Sequence, residues 1–176
     1  RPGTGDVWLT FFDVGQGLSV LVETSEHVLL YDTGPSVGDR FSAARQIVLP
    51  YISRRHHAAL SRLVISHGDN DHAGGESFLL ESLPVGRVIR HGQCDAAFQF
   101  DDVRFSSFSA GVLNGSENDG SCLLLIQSHQ HVILLTGDIE ASAELALARS
   151  GLSPVTLMSV PHHGSASSST PALLNL

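Results

Sequence analysis

Apolar residues in this chain arrive in short runs, each closed by glycine or a small polar residue, and the runs alternate in type. "VWLTFFDVGQG" (7–17), "LSVLVET" (18–24) and "HVLLYDTG" (27–34) are rich in Val, Leu, Phe and Tyr and predict three consecutive strands joined by short turns. A loop containing glycine and serine follows. "FSAARQIVLPYISRR" (41–55) then predicts a helix as far as Leu49, interrupted by Pro50. "SRLVISHGD" (61–69) reads as a short apolar strand, "GGESFLLESL" (74–83) as a helix and "GRVIRH" (86–91) as another strand. Residues 92–120 are polar and weakly patterned, with one strand expected in "DDVRFSSF" (101–108). "SCLLLIQSHQHVILLTGDIE" (121–140) predicts a hairpin around "SHQH", and its apolar runs suggest burial on both faces of a sheet. "ASAELALARSG" (141–151) predicts an alanine-rich helix stopped by Gly151, "VTLMSVPHHGS" (155–165) a last strand, and "SASSST" (165–170) a loop. Strand meanders with helices between and after them make an α/β layered domain, with sheets covered by helices.

With 176 residues, the chain is long enough for a single domain with its own core. Ten Lys+Arg against 18 Asp+Glu give a formal net charge of −8, which argues against a sequence-reading DNA binder with a basic face. It leaves open an enzyme whose carboxylates hold cations. Cys94 and Cys122 lie outside any CxxC pattern and are read first as unpaired thiols, with one disulfide between them possible. No apolar run reaches the roughly 18 residues that a membrane span needs. The chain opens on Arg1-Pro2-Gly3 and stops abruptly at "TPALLNL". It is therefore expected to be one domain (1–176) cut from a longer protein, with further strands beyond its C-terminal end.

Four polar clusters close apolar runs in the same way: Asp32 after "HVLLY", His67 to His72 after "RLVI", Asp138 after "HVILLTG", and His162–His163 after "VTLMSVP". Loops at strand ends are where layered α/β domains place sites. Imidazole and carboxylate are ligands of divalent cations. His67 and Asp69, two apart, can point to one side of a loop, whereas Asp71 and His72, being adjacent, diverge towards a second cation. Asp138 could bridge two cations, and His162 or His163 could complete one of them. Taken singly, Asp32 also suits a turn, Asp138 a helix N-cap and His162–His163 a solvated pair. The stretch 67–72 resists such readings, because flanking histidines do nothing for a turn. His27, His56, His57, His91, His129 and His131 are expected at the surface.

In combination these residues resemble the metallo-β-lactamase superfamily, whose signature H-x-H-x-D-H follows a strand. Here "SHGDNDH" stands as H-x-D-x-D-H, with Asp69 in place of the second His. "FFDVGQGLSVLVE", "YDTGP", "SHGDNDHAGG", "LLTGDIE" and "VPHHGS" together are similar to the metallo-β-lactamase-like domain of the ComEC family of DNA-uptake channels, over about residues 7–168.

The resemblance implies an αββα sandwich of two mixed sheets flanked by helices. It also implies a metal-dependent nuclease degrading the DNA strand that is not transported during natural transformation. The metal set would be His67, Asp69, Asp71, His72, Asp138 and His163. Asp71 and His162 would act in catalysis, and Asp32 would orient a ligand histidine through its ring N–H. The family's further His before the strand at 122–128 is missing, and Glu117, Asn118 or Asp119 stands near its place as a possible extra ligand. Such oxygen-rich ligation favours Mn²⁺, with Zn²⁺ or Mg²⁺ as alternatives, as one or two ions. The implied partners are DNA, single-stranded first, and the channel portion of the full-length protein at the periplasmic face of the inner membrane. The isolated domain is expected to be monomeric. Two rival readings are another hydrolase of this fold, cleaving a thioester, lactone or phosphorylcholine ester, and a non-catalytic metal-stabilised module that docks DNA or a partner.

Overall fold

The computed structural model describes residues 1–38, 40–112, 115–152 and 154–176. Its first sheet contains β1 (Trp8–Phe11), β2 (Val20–Glu23), β3 (Val28–Tyr31), β6 (Arg62–Val64) and β7 (Val88–Ile89), in the order β1-β2-β3-β6-β7. The β1-β2-β3 pairs are antiparallel, and β6 and β7 are added in parallel. The second sheet has the order β12-β11-β10-β9-β8, from β8 (Ala96–Phe100), β9 (Val103–Phe108), β10 (Leu123–Gln127), β11 (Val132–Leu135) and β12 (Leu157–Met158). Only β11–β12 is parallel in it. A small hairpin, β4 (Ser36–Val37) with β5 (Phe41–Ser42), stands apart.

Side-chain alternation along the strands explains the layers. Val20, Val22, Leu29 and Tyr31 of the first sheet face Phe105, Leu124, Ile126 and Leu135 of the second, forming the inter-sheet core. The intervening residues Leu21, Leu30 and Leu63 turn the other way. They pack against Val48 and Ile52 of the first helical segment and Leu79 of α3 (Glu76–Ser82). On the far side, Leu123, Leu125 and Leu134 meet Ala143 and Leu147 of α4 (Ala141–Arg149) and Leu173 of α5 (Pro171–Leu174). Both faces of each sheet are thus covered, and the architecture is the expected αββα sandwich. Strands that are apolar on both faces follow from this, as in "LLLI" and "VLVE".

Several expectations are corrected. The helix after residue 41 does not end at Pro50. A π-type stretch (Ala44–Val48) hands over directly to α1 (Leu49–Arg54), with Pro50 in its first turn. Proline has no N–H to offer, and the first turn of a helix needs none. Strand β8, "AAFQF", lay unrecognised in the weakly patterned region; its Phe98 and Phe100 are only partly buried against the core. Cys94 and Cys122 are not free thiols but a disulfide, both ends buried, closing a separation of 28 residues. Sequence spacing is silent on that pairing because it is made across the fold. His57 is not a surface residue: its side chain is 7% exposed and its Nε2 lies 2.7 Å from the buried Glu23 carboxylate.

Candidate metal centre

The strand-end clusters meet at one edge of the sandwich. β3 delivers Asp32, and β6 delivers Ser66 and His67. The short helix α2 (Asn70–Ala73) carries Asp71 and His72. β11 leads to Asp138, and the turn after β12 presents His162 and His163. Asp32, His162 and His163 all have left-handed backbones, with φ of 58°, 47° and 51°. Non-glycine residues in that region carry strain of about 1 kcal/mol or more each and are held there by their surroundings. Gly17 is needed beside the site because a Cβ there would strike the Asp71 carbonyl.

Asp71, His72, Asp138 and His163 form a group whose potential ligand atoms all lie within 4.8 Å of one another. His72 Nε2 is 3.0 Å from Asp138 Oδ1 and 3.2 Å from His163 Nε2. His163 Nε2 is 3.3 Å from Asp71 Oδ2 and 3.4 Å from Asp138 Oδ2. His67 and Asp69 form a pair alongside, with Nε2 to Oδ2 at 3.5 Å, and the His67 ring centroid is 4.3 Å from that of His72. The expected set therefore falls into four converging residues and a neighbouring pair.

The proton positions follow from the hydrogen bonds. Buried Asp32 accepts the Ser66 N–H at 2.7 Å on Oδ1. On Oδ2 it accepts the Ser66 hydroxyl at 2.8 Å and the His72 Nδ1–H at 2.8 Å. Ser66 has one proton and a carboxylate only accepts, so at the 3.0 Å contact with His67 it is Nδ1–H of His67 that donates. Both imidazoles are thereby oriented with Nε2 towards the centre. Burial, reinforced by the neighbouring His72, lowers the His67 pKa and keeps that ring neutral, the ligand form. Burial alone would lower His72 too, but the Asp138 and Asp32 carboxylates outweigh it and raise its pKa to about 10. Burial would raise Asp138, yet His72, followed by His163 and His67, holds it below the usual carboxylate range.

The donor set fits a divalent cation. His67 Nε2 is buried without a hydrogen-bond partner, and Asp138 Oδ1, though 3.0 Å from His72 Nε2, forms no directed hydrogen bond. Buried polar atoms are normally paired, and a cation between imidazole nitrogens and carboxylate oxygens would satisfy both.

His162 points its Nδ1 at Glu140 Oε1, 3.3 Å away, and its Nε2 lies 4.0 Å from Asp138 Oδ2. Glu140 also accepts from Ser167 Oγ at 2.8 Å. Asp119 is employed elsewhere: its carboxylate accepts the Glu140 N–H at 2.9 Å and the Ser142 hydroxyl, capping the start of α4. It does not join the four-residue group, and Asn118 stands beside it in the same short helical turn. That cap is the role the sequence offered to Asp138, which instead faces the centre. Glu117 is exposed, with Oε1 2.8 Å from where a Gly68 Cβ would stand, over the loop between His67 and Asp69. Sequence reading missed Ser66 and Glu140. Their only signal was position, one residue before His67 and two after Asp138.

Residues 12–115 match the family model described as the metallo-β-lactamase superfamily. Recombination protein 2 of Haemophilus influenzae is 36% identical over 176 residues, which cover 93% of this chain and 22% of that protein. Competence protein ComA of Neisseria gonorrhoeae is 31% identical over 180 residues, covering 95% of this chain and 25% of that one. The chain thus spans about a quarter or less of the length of these relatives. Among solved structures, the metallo-β-lactamase MIM-1 from Novosphingobium pentaromativorans aligns with a TM-score of 0.59 at 16% identity, covering 84% of this chain and 70% of that one, which is a likeness of fold. With the family model matching more than half of the chain and the αββα sandwich built around the strand-end histidines and aspartates, this chain belongs to the metallo-β-lactamase superfamily.

Proposed function

We propose that the chain is a metal-dependent phosphodiesterase acting on DNA, the nuclease portion of a competence protein that degrades the strand not taken up. The observation that carries this reading is the convergence of Asp71, His72, Asp138 and His163, in a fold that usually belongs to metal-dependent hydrolases. It occurs in a chain whose relatives are named for recombination and competence. The buried Cys94–Cys122 disulfide is in keeping with a location on the oxidising, periplasmic side of the inner membrane. No helix among the described residues is long and apolar enough to cross a membrane. In this reading the channel belongs to the remainder of the full-length protein.

The four residues would hold one cation, and His67 with Asp69 would contribute to a second position, Mn²⁺ being the first choice because half of the six donors are carboxylates, an oxygen share above that of a three-histidine site. A cation there would supply acidified water and neutralise charge on a phosphoryl oxygen. The chain's own residues do the rest. Asp32 and Ser66 fix the two imidazoles so that their Nε2 atoms face the centre. Asp71, 27% exposed at its side chain, lies at the open side where a phosphodiester would enter. His162, held by Glu140, has its Nε2 at the rim, placed to give a proton to the leaving oxygen.

The test is cleavage of labelled single- and double-stranded DNA by the purified domain, first in EDTA and then with Mn²⁺, Mg²⁺ or Zn²⁺ restored. Cleavage returning with a metal, single strands preferred, supports the reading. Hydrolysis of small thioesters or lactones with DNA left intact would replace it. A parallel melting experiment reads the metal without activity: at a hundred times its Kd, Mn²⁺ stabilises the fold by about 2.7 kcal/mol. Asp138→Ala should abolish that stabilisation.

One observation favours a second reading, a metal-stabilised module that docks DNA or a partner without cutting. Asp119 is committed to α4, which leaves the His67–Asp69 position short of ligands. DNA binding without turnover in every metal would select it.

A further inference from the structure

All ten basic residues of the chain are arginine, in a molecule of formal charge −8. Arg1, Arg55 and Arg90 are each paired with a glutamate. Two others, Arg40 and Arg45, form no ion pair among the described residues and share one cavity. That cavity, about 100 Å³, lies between the β4–β5 hairpin and the helices behind it, lined by Ser36, Arg40, Phe41, Ser42, Arg45 and Phe78. No carboxylate is among its lining residues that the structure describes. The Arg45 guanidinium lies over the Phe78 ring, 4.7 Å from its centroid, which fixes the charge without neutralising it. Ser42 Oγ accepts the Arg45 N–H at 3.4 Å, joining hairpin to helix.

The position of this cavity sets its use. Gly74 forms part of its wall and closes α2, the helix that carries Asp71 and His72. A Cβ on Gly74 would collide with the Ser36 backbone N and with Asn70, so the hairpin sits directly against that helix. The cavity and the metal centre therefore both adjoin one short helix, whose diameter with side chains is about 10 Å. Two guanidiniums, two hydroxyls and aromatic walls suit a phosphodiester and the edge of a base or sugar.

We propose that this cavity binds a backbone phosphate of the same nucleic-acid strand, one or two nucleotides from the one at the metal centre. The substrate would then be a polynucleotide rather than a small ester. The inference rests on the nuclease reading and adds to it the site that recognises chain length. It also accounts for how an acidic protein could hold a polyanion: charge is placed locally, beside the centre, instead of over a whole face.

The experiment is fluorescence anisotropy of a labelled single-stranded 12-mer in EDTA, where cleavage plays no part, across a salt series. Arg40→Gln with Arg45→Gln should weaken binding about tenfold or more. Losing the one phosphate contact should reduce the slope of log affinity against log salt by about 0.7. Arg45→Lys should keep most of the slope. Should the double variant fail to fold, Arg40→Gln alone, at an exposed position, should lower the slope by about half as much. Unchanged affinity and slope in folded variants would overturn the proposal. So would arginine-dependent binding of phosphatidylglycerol vesicles with none of the oligonucleotide, which would make the surface a lipid contact. The two readings fail separately. A protein that binds through these arginines and never cuts keeps the cavity and loses the nuclease. One that cuts equally well with both replaced keeps the nuclease and loses the cavity.

Discussion

A buried carboxylate beside histidine lies at each end of β3, Glu23 at the end of β2 paired across to Val28 and Asp32 just after Tyr31, and the two solve the problem of buried charge in opposite ways. At the strand's start, Glu23 is 1% exposed, and a single oxygen, Oε1, takes hydrogen bonds from Arg55 Nε at 3.2 Å, Arg55 Nη2 at 3.0 Å and His57 Nε2 at 2.7 Å. Arg55 also stands over Trp8. Positive charge answers negative, and the group is closed. At the strand's other end, Asp32 and Asp138 face three histidines, two nitrogen or oxygen atoms stay orphaned, and residues with left-handed φ are held in place. Nothing among the described residues completes that group. A closed pair stabilises the fold, whereas an open one stores a demand that a bound cation would meet.

The largest effect should come from the open end and touch activity only. Asp71→Ala should lower DNA cleavage by about a thousandfold or more while leaving the melting temperature nearly unchanged, because this side chain is partly exposed; substantial cleavage by the variant would remove the centre from the mechanism. The closed end should respond in the opposite sense. Glu23→Ala leaves a guanidinium and an imidazole without their partner and should cost about 3 kcal/mol in urea unfolding, with cleavage per folded molecule preserved. A comparable loss, about 3 kcal/mol, is expected on reducing Cys94–Cys122, read as a drop in melting temperature with added dithiothreitol.

The smallest effect concerns a third carboxylate, on the β8–β9 turn. Burial would raise the Asp101 pKa. Hydrogen bonds from Thr24, the Glu26 N–H and His27 outweigh that and hold it well below the usual carboxylate range. A depressed folded pKa means stability that is fully present above the unfolded value near 3.9 and is lost as the pH falls below it. Asp101→Asn should therefore cost about 1 kcal/mol at pH 7, and the difference from wild type should shrink in acid. A gap that widens in acid would show that another group controls this turn.

Much of this could be read along the chain. Strand runs, α3, α4, the 121–140 hairpin and an α/β layering followed from apolar periodicity and turn residues, because those signals are local, whereas the sandwich itself was implied by the family resemblance. The density of His and Asp in 67–72 had no local explanation, so it pointed to chemistry before any fold was known. Other features were legible but misread: Pro50 looked like a helix end because proline's missing N–H matters inside a helix and not in its first turn. Strand β8 escaped because its half-exposed residues give no clean alternation with the core.

What the sequence by itself determined was the inventory: an α/β layering, strand ends loaded with ligand side chains, and too little basic charge for a general nucleic-acid face. Only the tertiary structure decided who meets whom. It joined Cys94 to Cys122, gave Asp119 the cap on α4 and left Asp138 to the centre, and divided the candidate ligands into four that converge and a pair beside them. It also gathered Arg40 and Arg45 into one cavity with Gly74, at the end of the helix that bears Asp71. These are contacts between residues tens of positions apart, fixed by sheet order and packing, and no local pattern in a single chain encodes them.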